Sequence, residues 1–173
     1  MKSMVDLSHE FLLPALHSQA ICIDATLGHG KDATFFLEQG VHKVYGFEIQ
    51  EEVGRETENK IHNSRLHVLL KGHEHLDCIS EDIDAIIFNF GYCPHGNKAI
   101  TTLANTSLTA VQKGLNHLKR RGRMALVFYP HEKGLEEAQV IQDYLESLSG
   151  FEMIQMKKLG QENVPFLIGI EKR

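Results

Sequence analysis

The last two apolar runs of the chain, Phe151 to Lys158 and Phe166 to Lys172, have no helical segment between them. That absence constrains the fold more than any other feature. The link from Leu159 to Pro165 is too short for the crossover that parallel neighbours need, so the two runs must pair as an antiparallel hairpin. The rest of the chain reads differently. Apolar runs at 20–24, 43–48, 66–70, 83–90 and 124–129 are nearly continuous rather than alternating, as in strands buried on both faces. Helical spacing fills 31–39, 51–64, 100–120 and 132–148, the third with Leu103, Leu108, Val111, Leu115 and Leu118 on one stripe. A short helix over 8–18 opens the chain, with Ser8 as its expected N-cap and Phe11, Leu12, Ala15 and Leu16 as its apolar face. Strands alternating with helices give a parallel sheet covered on both sides. The expectation is an α/β fold over a single domain, 1–173, with a mostly parallel seven-stranded sheet and a C-terminal antiparallel β-hairpin.

Composition excludes several classes. At 42% hydrophobic and 24% charged, 173 residues suffice for one packed core and are not those of a disordered chain. No apolar run approaches the roughly 20 residues of a membrane span. The N-terminal residues carry Asp6 and no apolar stretch of the signal-peptide kind, so a cytoplasmic protein is expected. Cys22, Cys78 and Cys93 are odd in number and form no C-x-x-C, which suits free thiols in a reducing compartment. The net charge of -5 is unevenly spread: residues 85–131 hold six Lys or Arg and no acid. Such a stretch suits a polyanion-facing surface, or is the accident of one strand and one helix. Within it, the cluster Lys119, Arg120, Arg121 and Arg123 reads best as a solvated helix end, on the sheet edge opposite the expected site.

Asp24 ends the first strand, and Gly28-His29-Gly30 breaks the pattern before the next helix. Glycines there let the backbone approach a ligand, and the helix start offers free N–H groups. Glu48 ends the second strand, twenty residues after Gly28, where an acid can accept the two hydroxyls of an adenosine ribose. Gly28-x-Gly30-x-x-Ala33 also fits the dinucleotide fingerprint, and a plain strand-to-helix turn with a capping acid is the lesser alternative. Asp24 decides between the ligands. A carboxylate four residues before the first glycine repels a pyrophosphate but suits the ammonium and sulfonium of S-adenosylmethionine. With the hairpin, this gives the layout of a class I Rossmann-like methyltransferase. Asp32 sits in the first helical turn, where its alternative role is to meet the helix dipole. Gly72-His73 follows the third strand, where an adenine rests in this layout; His73 either contacts the base or is a surface histidine. His73 and His75 do not make a persuasive metal pair, and no metal is expected.

Asn89-Phe90-Gly91-Tyr92 leaves the fourth strand at the edge where substrate meets cofactor. Methyl transfer is an in-line displacement, so the nucleophile must be held roughly 3 Å from the methyl with its lone pair aimed. An Asn oxygen and a nearby carbonyl can hold two N–H groups of an amine and leave that lone pair free. An adjacent aromatic can stack on a base. The alternative is an Asn that caps a turn. His131, after the fifth strand, is either a proton relay or a surface histidine.

Together, residues 24–32, 45–50, 72–74, 89–98 and 161–172 resemble a bacterial family of tRNA wobble-uridine methyltransferases, formerly described as rRNA methylases. The likeness runs from Ser8 to the C-terminus, and 89–98 is its specific part. It departs from the family at His29, where Asn is usual, at Glu48, where Asp is usual, and at His95-Gly96-Asn97-Lys98, where Gly-Gly-Asp-Lys is usual. The resemblance implies methylation of the aminomethyl nitrogen of 5-aminomethyl-(2-thio)uridine in the anticodon stem-loop of tRNA. It implies cofactor contacts from Asp24, Thr26, Gly28, His29, Gly30 and Asp32, from Glu48, Gln50, Gly72 and His73, and from Asn89, Phe90 and Gly91. Asn89, Tyr92 and His131 would act on the acceptor, and Tyr92, His95 and Lys98 would meet RNA. A homodimer is one expected assembly. Another acceptor (rRNA, a protein or a small amine), a non-catalytic nucleotide-binding module and a nicotinamide oxidoreductase are the competing readings.

Overall fold

The computed structural model describes residues 1–91, 104–129, 132–160 and 164–173. Helix α1 (Met4–Leu12) precedes β1 (Ile21–Asp24), α2 (Lys31–Glu38), β2 (Lys43–Phe47), α3 (Glu51–Ile61) and β3 (Leu66–Leu69). A 3₁₀ segment, His73–Cys78, leads to β4 (Ile83–Phe90), α4 (Ala104–His117), β5 (Leu118–Phe128), α5 (Glu132–Glu146), β6 (Phe151–Lys157) and β7 (Phe166–Lys172). The seven strands form one sheet in the order β3-β2-β1-β4-β5-β7-β6. The first five strands pair in parallel, and β7 lies antiparallel between β5 and β6, as the short final link requires. Chain order reverses between β1 and β4, so a crevice opens at the carboxyl ends of those two strands.

Alternation along the strands sorts residues between two cores. Ile86, Phe88 and Phe90 of β4 face the layer holding α4 and α5. Ala85 and Ile87 face the layer that holds α1 and α2. Phe88, Phe90, Phe128 and Phe166 form a continuous stack on the α4/α5 side, with successive ring centroids 5.2, 4.9 and 5.0 Å apart. Phe88, Phe90 and Phe128 are fully buried. Each such ring contributes about 2 kcal/mol through its area alone. By the same period of two, Asp24, Asn89 and Tyr129 fall on the α1/α2 side.

Two expectations are corrected. The first helix starts earlier than 8–18, because Ser3, not Ser8, caps it: the Ser3 hydroxyl accepts from the Asp6 N–H, and Asp6 accepts from the Ser3 N–H. Ser8 is buried within the helix and donates to the Val5 carbonyl. After Leu12 the chain tightens into a 3₁₀ turn at Leu13–Ala15, with Pro14 inside it. The second correction is at the basic cluster. Helix α4 ends at His117, and Lys119, Arg120, Arg121 and Arg123 belong to β5 rather than to a solvated helix end. The strand is irregular there. Ile83 pairs with Leu118 and Ala85 with Arg123, and Arg121 has φ +64°. Lys119 is bonded to Asp84 (2.8 Å). Arg123 pairs with Glu171 (2.6 Å), donates to the Phe11 carbonyl (2.7 Å) and lies over the Phe11 ring. Lys119 and Arg123 therefore tie β5 to β4, β7 and α1, while Arg120 and Arg121 are exposed. Gly169 on β7 makes room for α1, since a Cβ there would lie 2.8 Å from the Phe11 ring.

Candidate active site

Asp24 is fully buried at the end of β1. Its carboxylate accepts from the N–H groups of Thr26 (3.2 Å) and Ala33 (3.0 Å), which staples the strand end to the first turn of α2. Burial, and secondarily the neighbouring Asp32, push the Asp24 carboxyl well above the usual carboxylate range. The Thr26 hydroxyl accepts from the Asn89 N–H at 2.8 Å, so the β1 loop is tied to the end of β4.

Glu48, also buried, accepts from the Gly28 N–H (3.0 Å) and the Gln50 N–H (2.8 Å), one bond on each oxygen. Each oxygen keeps a lone pair for another donor. Gly28 is held from the other side by the Thr57 hydroxyl, which donates to its carbonyl at 2.6 Å. Gly30 needs to be glycine: its φ is +78°, and a Cβ would lie 2.5 Å from Ile61 and 2.7 Å from Thr57. His29, between the two glycines, is exposed. Beside Glu48, Ile49 is 62% exposed and Leu70 is 37% exposed, two large apolar groups at the crevice rim. Gly54 of α3 leaves the space that Leu70 occupies.

His73 is not a surface histidine. It is buried, meets the Ala25 carbonyl through Nδ1 (3.2 Å) and stands edge-on to Phe88 and Phe90. Burial lowers its pKa, which favours the neutral ring with hydrogen on Nδ1. Gly72 caps the segment that His73 opens. The Phe90 ring lies within the aromatic stack, so only its backbone borders the crevice. Gly91 follows with φ +150°.

The polar side chains of the α1/α2 face form one connected chain. Asp32 accepts from the Asn89 side-chain amide on Oδ2 and meets His9 Nε2 on Oδ1 at 2.5 Å. Asn89 Oδ1 lies 3.4 Å from the Tyr129 hydroxyl. Burial, with a smaller effect of Asp32, raises the Tyr129 pKa and keeps the phenol protonated. The structure thus brings Asp24, Thr26, Gly28, Asp32, Glu48 and Asn89 to one crevice. Tyr92, His95, Lys98 and His131 lie outside the described residues. Sequence reasoning missed His9, Tyr129, Ile49 and Leu70. Ile49 and Leu70 carried a usable signal, since each is a large apolar residue just beyond a strand end.

Comparison with known proteins decides the family. A family model described as "Putative rRNA methylase" matches residues 44–171. The chain belongs to this family. The chloroplastic tRNA (mnm(5)s(2)U34)-methyltransferase of Arabidopsis thaliana is 25% identical, covering 99% of this chain and 70% of that protein. A "putative methyltransferase" of Streptococcus mutans, solved in complex with SAH, is 33% identical with TM-score 0.89, covering 100% of this chain and 99% of the other. A "putative rRNA-methylase" of Clostridium thermocellum is 27% identical with TM-score 0.93, covering 100% and 99%. The chain is a methyltransferase, and S-adenosylmethionine is its cofactor. The candidate site fits that group: two buried carboxylates, Asp24 and Asp32, stand where a cation would relieve their mutual repulsion, and Glu48 offers further acceptor positions beside an apolar rim. No helix among the described residues is long and apolar enough to cross a membrane.

Proposed function

We propose that this methyltransferase methylates the exocyclic aminomethyl nitrogen of wobble 5-aminomethyl-(2-thio)uridine in tRNA, giving 5-methylaminomethyl-(2-thio)uridine. The observation that carries the reading is the state of Asn89. Its amide nitrogen is committed to Asp32, so its oxygen is the end left to accept an N–H at the carboxyl edge of β4. An alkylamine acceptor offers such a donor; a hydroxyl or ring-carbon acceptor gives it less to do.

Bound S-adenosylmethionine supplies an electrophilic methyl on a cationic sulfur. Asp24 and Asp32 hold the amino-acid end, and Gly28 and Gly30 bring the backbone close to it. Thr26, His29, Gln50 and Gly72 border that site, as do the Gly91 backbone and the backbone of Phe90. His73 acts from beneath as a packed wall. Glu48 accepts the ribose hydroxyls, and Ile49 and Leu70 flank the base. Asn89 orients the amine so that its lone pair faces the methyl, and excludes the rotations in which it does not. The amine must first lose a proton, since by analogy with lysine its pKa is roughly 10. His131 is the proposed acceptor. Tyr92 is proposed to stack on the uracil ring, with His95 and Lys98 meeting the anticodon stem-loop.

The name of the Arabidopsis relative supports the wobble uridine. The family description favours one second reading, an rRNA acceptor. Mass spectrometry of nucleosides separates the two. Hypomodified tRNA carrying 5-aminomethyl-2-thiouridine, incubated with protein and S-adenosylmethionine, should gain one methyl group at the wobble base. Methylation of rRNA alone would overturn the assignment.

A further inference from the structure

We infer that His9 is a positioning residue: acting through Asp32, it fixes which end of the Asn89 amide faces the acceptor. The inference rests on the amine-orienting role proposed above for Asn89. An Asn amide has nearly the same shape in its two flipped states, so packing alone does not choose between them. Asp32 chooses. A carboxylate only accepts, so it bonds Nδ2 and repels Oδ1, whose second lone pair, beside the one facing the Tyr129 hydroxyl, is left for the amine. Asp32 is in turn oriented by His9. Asp32 Oδ1 is held by His9 Nε2 at 2.5 Å, leaving Oδ2 for Asn89. The imidazole is fixed in turn by Phe35, three residues along α2 from Asp32, whose ring stacks on it at 3.9 Å with an interplanar angle of 1°. His9 is not what docks α1. Met4 and Leu12 are buried, and Arg123 holds Phe11 by its carbonyl and its ring. The imidazole instead reaches sideways, from residue 9 to residue 89 by way of a single carboxylate.

The test compares His9→Leu, which keeps bulk but has no donor, with His9→Gln, whose amide nitrogen can replace Nε2. In ¹⁵N-labelled cofactor-free protein, the Asn89 side-chain amide signals are identified by their loss in Asn89→Ala. They should be protected from exchange with water in the wild type and in His9→Gln, and should lose protection in His9→Leu. With S-adenosylmethionine saturating, the single-turnover rate of His9→Leu should fall about tenfold, as for residues that orient a reacting group from behind. Saturating cofactor removes from the rate any loss of affinity that passes through Asp32, and His9→Gln should recover most of the rate. Unchanged amide protection in His9→Leu, or a Gln variant as slow as the Leu variant, overturns the inference. If the wild type leaves aminomethyluridine unmethylated, the substrate reading fails, and the amide signals still decide the role of His9.

Discussion

The two faces of β4 and β5 at their carboxyl ends use alternate residues of the same strands for opposite purposes. On the α4/α5 side, Phe88, Phe90, Phe128 and Phe166 stack without a charged group among them. On the α1/α2 side, Asn89 and Tyr129 join His9 and Asp32 in a hydrogen-bonded chain above the buried Asp24. Burial stabilises the first face. The second sets two carboxylates close together in low dielectric, which costs free energy until a cation arrives. A period of two therefore separates the residues that hold the crevice in place from those proposed to act in it, with no loop needed to divide them.

Substitutions on the two faces should separate activity from stability. The largest effect is expected for Asn89→Ala: turnover down by about 10² to 10³, the range seen when one oriented hydrogen-bonding group is removed from a reacting centre. Its cofactor affinity, measured by calorimetry, should hardly change, and its Tm should stay near that of the wild type. Asp24→Asn keeps the shape and removes the charge; it should weaken S-adenosylmethionine binding at least about thirtyfold, taking the low end of the cost of losing one partner of a buried charge pair. Affinity close to wild type would separate Asp24 from the cofactor. On the opposite face, Phe90→Ala should cost about 3 to 5 kcal/mol in denaturant unfolding through the cavity it leaves. The surviving folded fraction should still bind cofactor. The smallest effect belongs to Tyr129→Phe, which deletes a hydroxyl 3.4 Å from Asn89 and should slow turnover only about threefold.

The Asp24 carboxyl also gives the polar face a pH signature. A group whose folded pKa is raised stabilises the free protein below its unfolded value, near 3.8. That contribution is lost as the pH rises through the folded value. A cationic ligand favours the ionised form, so cofactor affinity should rise with pH across the same window, and binding should release a proton. Calorimetry in buffers of different ionisation enthalpy reads that proton directly, and Asp24→Asn should abolish the release.

Much of this was legible in the sequence because it is local. The strand runs, the final hairpin, and Asp24, Glu48 and Asn89 at strand ends all follow from spacing within a few dozen residues. The start of α1 was misread because Ser3 and Ser8 both look like caps, and only the Ser3–Asp6 box separates them. Within the basic cluster, the ties of Lys119 and Arg123 are not legible because their partners, Asp84, Glu171 and Phe11, are remote in the chain. His9 escaped notice for the same reason: its partner is on α2 and its effect on β4. The aromatic stack was half visible, since Phe88-x-Phe90 shows the alternation but not that Phe128 and Phe166 continue it.

The most direct test of the division between the faces is single-turnover methyl transfer to aminomethyluridine tRNA, with S-adenosylmethionine saturating, by wild-type protein and by Asn89→Ala. Transfer by the wild type is expected, with a loss of at least about a hundredfold in the variant and both proteins folded and cofactor-bound. Equal rates in the two would contradict it and return Asn89 to a turn-capping role.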